Sequence, residues 1–182
     1  LIASLSDGDT ASFLPLLSEG FEIFGDRRYL WAATQGREGT APVETQASFP
    51  DGGYYIWRSG WGESERYEDE RFLVFDCGPL GDGNHGHLDL LSFELYGFGR
   101  PLIVDPGRYT YAENSSPNWR VLFRGTSYHN TVTVDGKHQA RYEERKGKHK
   151  IRGPHAAFEL TGLGQGMFRG RVVSPEYDAI HE

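Results

Sequence analysis

The densest chemistry in this sequence is the run Gly81-Asp82-Gly83-Asn84-His85-Gly86-His87-Leu88-Asp89. In an extended segment successive side chains alternate, so His85 and His87 would share a face. Two imidazoles on one face can share a metal, or one can hold metal while the other meets a substrate. The plain alternative is a glycine-rich turn with two surface histidines, because His-x-His arises often by chance. Asp105 closes an apolar segment just before Pro106-Gly107, and taken alone it is a turn former. His129 stands before the alternating Thr131-Val132-Thr133-Val134, and taken alone it is a structural or solvated histidine. The three together read differently. His87, Asp105 and His129 each fall at the edge of a short predicted strand, and two imidazoles with one carboxylate are a usual set for Zn²⁺ with a fourth position open. Their wide spacing means that an ion would tie separate strands together and add folding free energy.

Three further features carry chemistry less specifically. Tyr109, Tyr111, Trp119, Phe123 and Tyr128 gather between Asp105 and His129, as core or as a platform for sugar rings. The stretch 137–152 holds Lys137, Arg141, Arg145, Lys146, Lys148, Lys150 and Arg152 against Glu143 and Glu144. A solvated hairpin face is its plain reading, and a tether for an acidic polymer its functional one. Asn114-Ser115-Ser116 is a formal glycosylation sequon that says little without a known host.

The elements that must position these groups fall into two regimes. Residues 1 to about 35 predict helices. Asp9 or Thr10 would cap a first one ending near Gly20, with Pro15 early, where a helix tolerates it. Asp26 would cap a second, from Arg27 to Gln35, stopped by Gly36. Residues 36–48 read as a loop or linker. From Phe49 on, about eight short strands are predicted: 54–58, 71–75, 90–96, 101–104, 131–134, 148–151, 157–160 and 169–173. The expected architecture is mainly β, an antiparallel sandwich or multi-sheet domain over 49–182, preceded by a short helical segment and linker over 1–48.

Composition bounds the rest. With 37% apolar and 14% aromatic residues, the 182-residue chain has the material for one packed core and is no disordered tail. A formal charge of −7 argues against a nucleic-acid partner, which calls for a basic footprint. The single Cys77 excludes an intramolecular disulfide and a cysteine-based zinc ribbon. No apolar run approaches the ~18 residues of a membrane span. The chain opens on Leu1 without a basic leader and reads as a fragment of something longer, so the missing signal says nothing about compartment.

Several ordered blocks resemble a known family. They are Asn84-His85-Gly86-His87-x-Asp89-x-x-Ser92-Phe93-Glu94-Leu95, then Gly99-Arg100-Pro101-Leu102-Ile103-Val104-Asp105-Pro106-Gly107-x-Tyr109-Thr110-Tyr111, then Trp119-Arg120, Phe123-Arg124 and His129-Asn130-Thr131-Val132-x-Val134-Asp135-Gly136. They are similar to the heparinase II/III-like domain of polysaccharide lyases acting on heparin, heparan sulfate and alginate. The helical start resembles the tail of the α/α toroid that precedes this domain in the family. The resemblance implies β-elimination on a uronic-acid-containing polysaccharide. It also implies a mainly structural zinc held by His87, Asp105 and His129, and His85 reaching substrate from the sheet side. A tyrosine after the Asp-Pro-Gly turn contributes to the site in alginate-type members. Tyr109 and Tyr111 both compete for that role, with Tyr111 preferred. Arg124, Tyr109 and Asn84 are the candidates for binding substrate, since a guanidinium grips a carboxylate or sulfate bidentately. The family's principal Asn-His pair and Tyr lie upstream in the toroid, so this stretch alone is expected to be inactive without that partner domain. A non-catalytic, zinc-stapled carbohydrate-binding or scaffold domain is the second reading. A cupin-like metal site is disfavoured because Leu90 and Leu91 stand where its acidic ligand belongs. An acidic polysaccharide substrate implies a bacterial periplasmic or extracellular location.

Overall fold

The computed structural model describes residues 13–80, 84–152, 155–164 and 166–182. The caps expected at Asp9 or Thr10 lie outside them. Helix α1 (Leu14–Phe24) starts with Pro15 in its first turn and runs past Gly20 to a left-handed Gly25. Gly20 does not end the helix; a Cβ there would lie 3.0 Å from the Tyr29 ring, so it is where α2 packs. Helix α2 (Arg27–Ala33) is capped as expected: the Asp26 carboxylate accepts from the Arg28 N–H at 2.9 Å and also receives the Arg28 guanidinium. No helix among the described residues is long and apolar enough to cross a membrane.

The remainder is mainly antiparallel β. Strands β1 (Gln46–Phe49), β2 (Tyr54–Arg58), β3 (Phe72–Asp76), β4 (Phe93–Gly97) and β5 (Arg100–Ile103) form one sheet in sequential order. Strand β1 lies partly in the stretch expected to be a loop, because its pairing with β2 supplies a ladder that local composition does not signal. The β1–β2 connection passes so close to the end of β3 that a Cβ on Gly53 (φ +77°) would sit 2.0 Å from the Gly78 Cα. The hairpin β6 (Arg141–Arg145) and β7 (Lys148–Arg152) stands apart from the first sheet, and β8 (Ala157–Gly164), β9 (Met167–Val173) and β10 (Ile180–His181) form a third.

Two apolar clusters hold these sheets. Tyr55, Cys77, Leu91 and Val172 are buried together, with Phe75, Leu160 and Phe168 against them, so β8 and β9 cover one face of the first sheet. The Phe75 and Phe168 rings stack at 5.9 Å. Leu88, Ala140 and Ile151 form the second cluster, which joins the β6–β7 hairpin to the histidine-bearing loop.

The strand expected over 131–134 does not form. The Asp135-Gly136 turn does, with φ of +53° and +68°, but only an isolated bridge links Val134 to Lys137. Side chains replace the ladder here. The Asn130 amide donates to the carbonyls of Phe93 (3.1 Å) and Val104 (2.9 Å), and the Thr131 hydroxyl donates to that of Leu90 (2.7 Å).

Candidate metal centre and adjoining cleft

The loop between β3 and β4 carries both histidines, and its conformation separates them. Residues 84–87 form a turn and an irregular segment rather than the start of a strand, so the two rings do not share a face. His87 turns inward, its ring centroid 5.2 Å from that of His129. His85 turns toward Tyr111, whose ring it meets edge-on at 5.8 Å.

Two arginines from the short helix α3 (Trp119–Phe123) and its C-terminal cap hold this loop. Asn118 caps the helix by accepting from the Val121 N–H. Arg120 donates to the Asn84 carbonyl. Arg124, fully buried, donates through Nε and Nη2 to the Gly86 carbonyl at 3.0 and 2.9 Å, and its own carbonyl accepts from the Leu88 N–H at 2.9 Å. A Cβ on Gly86 would lie 2.3 Å from the Leu80 oxygen, so the loop can follow this path only with glycine there. The expectation that Arg124 grips a substrate anion is corrected by this burial. A guanidinium without exposed area, spent on backbone carbonyls, is a strut beneath the histidine loop.

His87, Asp105 and His129 converge. One potential ligand atom from each lies within 4.8 Å of the other two. The turn reading of Asp105 also holds, since its Oδ1 accepts from the Gly107 N–H at 2.8 Å. Its Oδ2 lies 2.6 Å from His129 Nδ1. Two ligands on a tetrahedral zinc with bonds of about 2.0–2.1 Å are roughly 3.3 Å apart, so 2.6 Å is a hydrogen bond. That bond orients the His129 ring and leaves its Nε2 buried without a hydrogen-bond partner. An orphaned buried imidazole nitrogen costs about 1–3 kcal/mol unless something fills its lone pair or takes its proton. With one potential ligand atom from each within 4.8 Å of the others, two imidazoles and a carboxylate are a donor set that fits a metal ion.

The electrostatics agree with the geometry. Burial pushes Asp105 up, but the hydrogen bond and charge of His129, with the Gly107 N–H, hold it below the usual carboxylate range. Burial pushes His129 down, but Asp105 and the nearby Asp89 carboxylate outweigh it and raise it. The neighbouring carboxyls behave oppositely. Burial, then the Asp89 charge, pushes Asp76 up to about 8. Burial likewise raises Asp89, and it raises Glu94 despite the Tyr96 hydroxyl. These groups line a cavity of about 630 Å³ on whose wall His87 and Asp105 sit.

A second cleft, of about 680 Å³, shares His85 with the first and is lined by Asn84, His85, Tyr111, Arg120 and the β6–β7 turn. Tyr111 lies against two cations, with the Arg108 and Arg120 guanidiniums 4.3 and 4.8 Å from its ring centre. Tyr109 lies elsewhere, stacked on Phe123 at 4.9 Å and edge-on to Trp119. Of the two tyrosines, Tyr111 is the one beside His85.

Sequence reasoning did not single out Arg120, Glu113 or Gln139. Arg120 is buried beside Tyr111 and pairs with Glu113 at 3.4 Å. Gln139 uses both ends of its amide on the Leu90 backbone at 2.9 Å, closing the histidine loop like a missing strand. Only the Trp119-Arg120 pair carried a signal; the other two are ordinary polar residues until folded.

Comparison with known proteins fits this arrangement. Residues 41–170 match the family described as Heparinase II/III-like, C-terminal. A heparin-sulfate lyase of Bacteroides stercoris is 34% identical over 108 residues, spanning 59% of this chain and 15% of that protein. One from Pedobacter heparinus is 29% identical over 120 residues, spanning 64% of this chain and 17% of that protein. A solved heparinase III gene product superposes with a TM-score of 0.71 and 26% identity, covering 96% of this chain and a quarter (25%) of the other. This chain therefore corresponds to well under a third of the proteins it resembles. On the family match, which takes in the histidine loop, Asp105 and His129, the chain belongs to the heparinase II/III-like C-terminal family.

Proposed function

We propose that this chain is the sheet-side portion of a polysaccharide lyase that cleaves an acidic, uronate-containing glycan such as heparan sulfate or alginate by β-elimination. The observation that supports the reading most is the placement of His85 against Tyr111 in an open cleft beside buried Arg120, with His87 of the metal-type triad two residues along the same loop. The relatives' activity on heparin sulfate supports the substrate class.

In β-elimination a base takes the proton on C5, α to the uronate carboxylate. The electron pair forms the C4–C5 double bond and the C4–O bond breaks, its oxygen accepting a proton from an acid. The C5 proton is very weakly acidic, so charge gathering on the carboxylate must be met by fixed donors. In this reading His85 and Tyr111 serve proton transfer, and Asn84 with the cations around Tyr111 orients the carboxylate. Tyr109, on its aromatic shelf, offers a face on which a neighbouring sugar ring stacks. His87, Asp105 and His129 would hold a zinc ion, which would supply chiefly a structural clamp on the loop whose other histidine faces substrate. The Asn-His pair and tyrosine that the family resemblance assigns to the helical toroid complete the site, so residues 1–182 alone turn over little or no substrate. A polymeric glycan substrate puts the enzyme in the bacterial periplasm or outside the cell.

The test is release of unsaturated uronate, read by its near-UV absorbance, from the full-length protein on heparan sulfate and alginate. Cleavage by wild type, with His85→Ala lowering kcat by about 10²-fold or more and leaving metal content intact, is the expected result. No cleavage of any uronate polymer, with glycan binding retained, would establish the second reading, a zinc-stapled binding or scaffold domain.

A further inference from the structure

The cleft that holds His85 and Tyr111 is also lined by the turn of the β6–β7 hairpin, through Lys146, Lys148 and Lys150. The register of this hairpin is electrostatically unfavourable by itself. On one of its faces Arg141 stands opposite Arg152 and Arg145 opposite Lys148, leaving Glu143 opposite Lys150 as the only complementary pair of that face. Like charges directly across a ladder destabilise it. The turn adds to this: Lys146, at φ +53°, occupies a left-handed position that favours asparagine or glycine, followed by Gly147 at φ +71°.

Compensation within the protein stops short of these lysines. Arg120 is matched by Glu113 and Arg141 by Glu176, and His149 lies against both Glu113 and Glu144. Among the described residues Lys146, Lys148 and Lys150 form no ion pair. Three lysines without an ion pair thus line one cleft, with Glu143 across the ladder from Lys150 as their one acidic neighbour in the register, in a chain whose formal charge is −7.

We propose that the β6–β7 hairpin is an anion-binding arm of the cleft, in which Lys146, Lys148 and Lys150 hold sulfate or carboxylate groups of the sugar units flanking the one cleaved. This rests on the lyase reading and deepens it. Rows of like charge on a short, well-paired hairpin suit a ligand with repeated anionic groups, and flexible ammonium stems accept either anion without demanding bidentate geometry.

The experiment compares the full-length protein with its Lys146→Gln/Lys148→Gln/Lys150→Gln variant and an Arg169→Gln control on the remote strand β9. KM and kcat are measured on heparan sulfate and on its desulfated form over a series of salt concentrations. The triple variant is expected to raise KM by about tenfold at low salt, as befits three exposed charge contacts. It should leave kcat within about twofold and flatten the dependence of log KM on log salt by about 2, as counterion release predicts. The control should match wild type. A loss confined to the sulfated polymer identifies sulfate as the anion, and an equal loss on both identifies carboxylate. Unchanged KM and salt dependence in an enzyme that cleaves would overturn the hairpin proposal and leave the lyase reading standing. If wild type cleaves neither of these polymers nor alginate, the lyase reading falls. Retention on immobilised heparan sulfate then decides the hairpin: weaker retention of the triple variant supports it, and equal retention overturns it.

Discussion

Asp105→Asn is the sharpest probe of the metal centre, because it keeps the shape of the side chain and removes its charge. The Asp105 side chain is 19% exposed and that of His129 not at all, so their 2.6 Å contact is a largely desolvated, charge-assisted hydrogen bond. Breaking a buried pair from one side costs about 3–5 kcal/mol, and the partial exposure of Asp105 puts this case near about 3. For a chain of this length each kcal/mol shifts Tm by about 2–4 °C, so the variant should melt roughly 6–12 °C lower even in chelator. Metal adds a separate increment. At a free zinc concentration of about 100 times Kd the wild type gains about 2.7 kcal/mol, and the variant, short of its anionic ligand, gains far less. Circular-dichroism melts with chelator and with added zinc, alongside elemental analysis of fresh protein, separate the two effects. His85→Ala serves as control and should keep its metal. The reasoning fails if fresh wild-type protein holds no metal, its Tm is the same in chelator and in zinc, and Asp105→Asn melts within about 1 °C of it.

Two further outcomes follow from the buried groups around the histidine loop. Arg124→Lys replaces the planar two-nitrogen fork on the Gly86 carbonyl with a single ammonium nitrogen, so it should lose about 2 kcal/mol in urea unfolding and bind metal more weakly through a loosened His87; an unchanged midpoint and affinity would show that the guanidinium is no strut. Asp76, raised to about 8 by burial and the Asp89 charge, keeps a proton in the folded chain that the unfolded chain has released above about pH 4. Stability should therefore fall as pH rises from about 4 to about 8 and level off beyond, and Asp76→Asn should flatten that fall in metal-free buffer, with Asp89 and Asp105 still facing the site. A pH profile of Tm identical to wild type would refute this.

Local chemistry was legible in the sequence wherever a side chain acts on its own neighbourhood. Asp26 capping α2, the turn at Asp135-Gly136, strand β2 at Tyr54–Arg58 and the Asx turn at Asp105 all depend on atoms a few residues apart. The residue types of the candidate metal triad were legible too, because few side chains bind cations. Tertiary structure decided which of two neighbouring histidines faces inward: Arg120 and Arg124 hold the loop out of a strand, and the alternation rule then no longer applies. It also decided that Arg124 is spent on backbone, that Asn130 and Thr131 replace a ladder, and that β1 finds β2. In each case the deciding partner lies far along the chain, and burial, more than residue type, determines whether a polar group is free to meet a ligand.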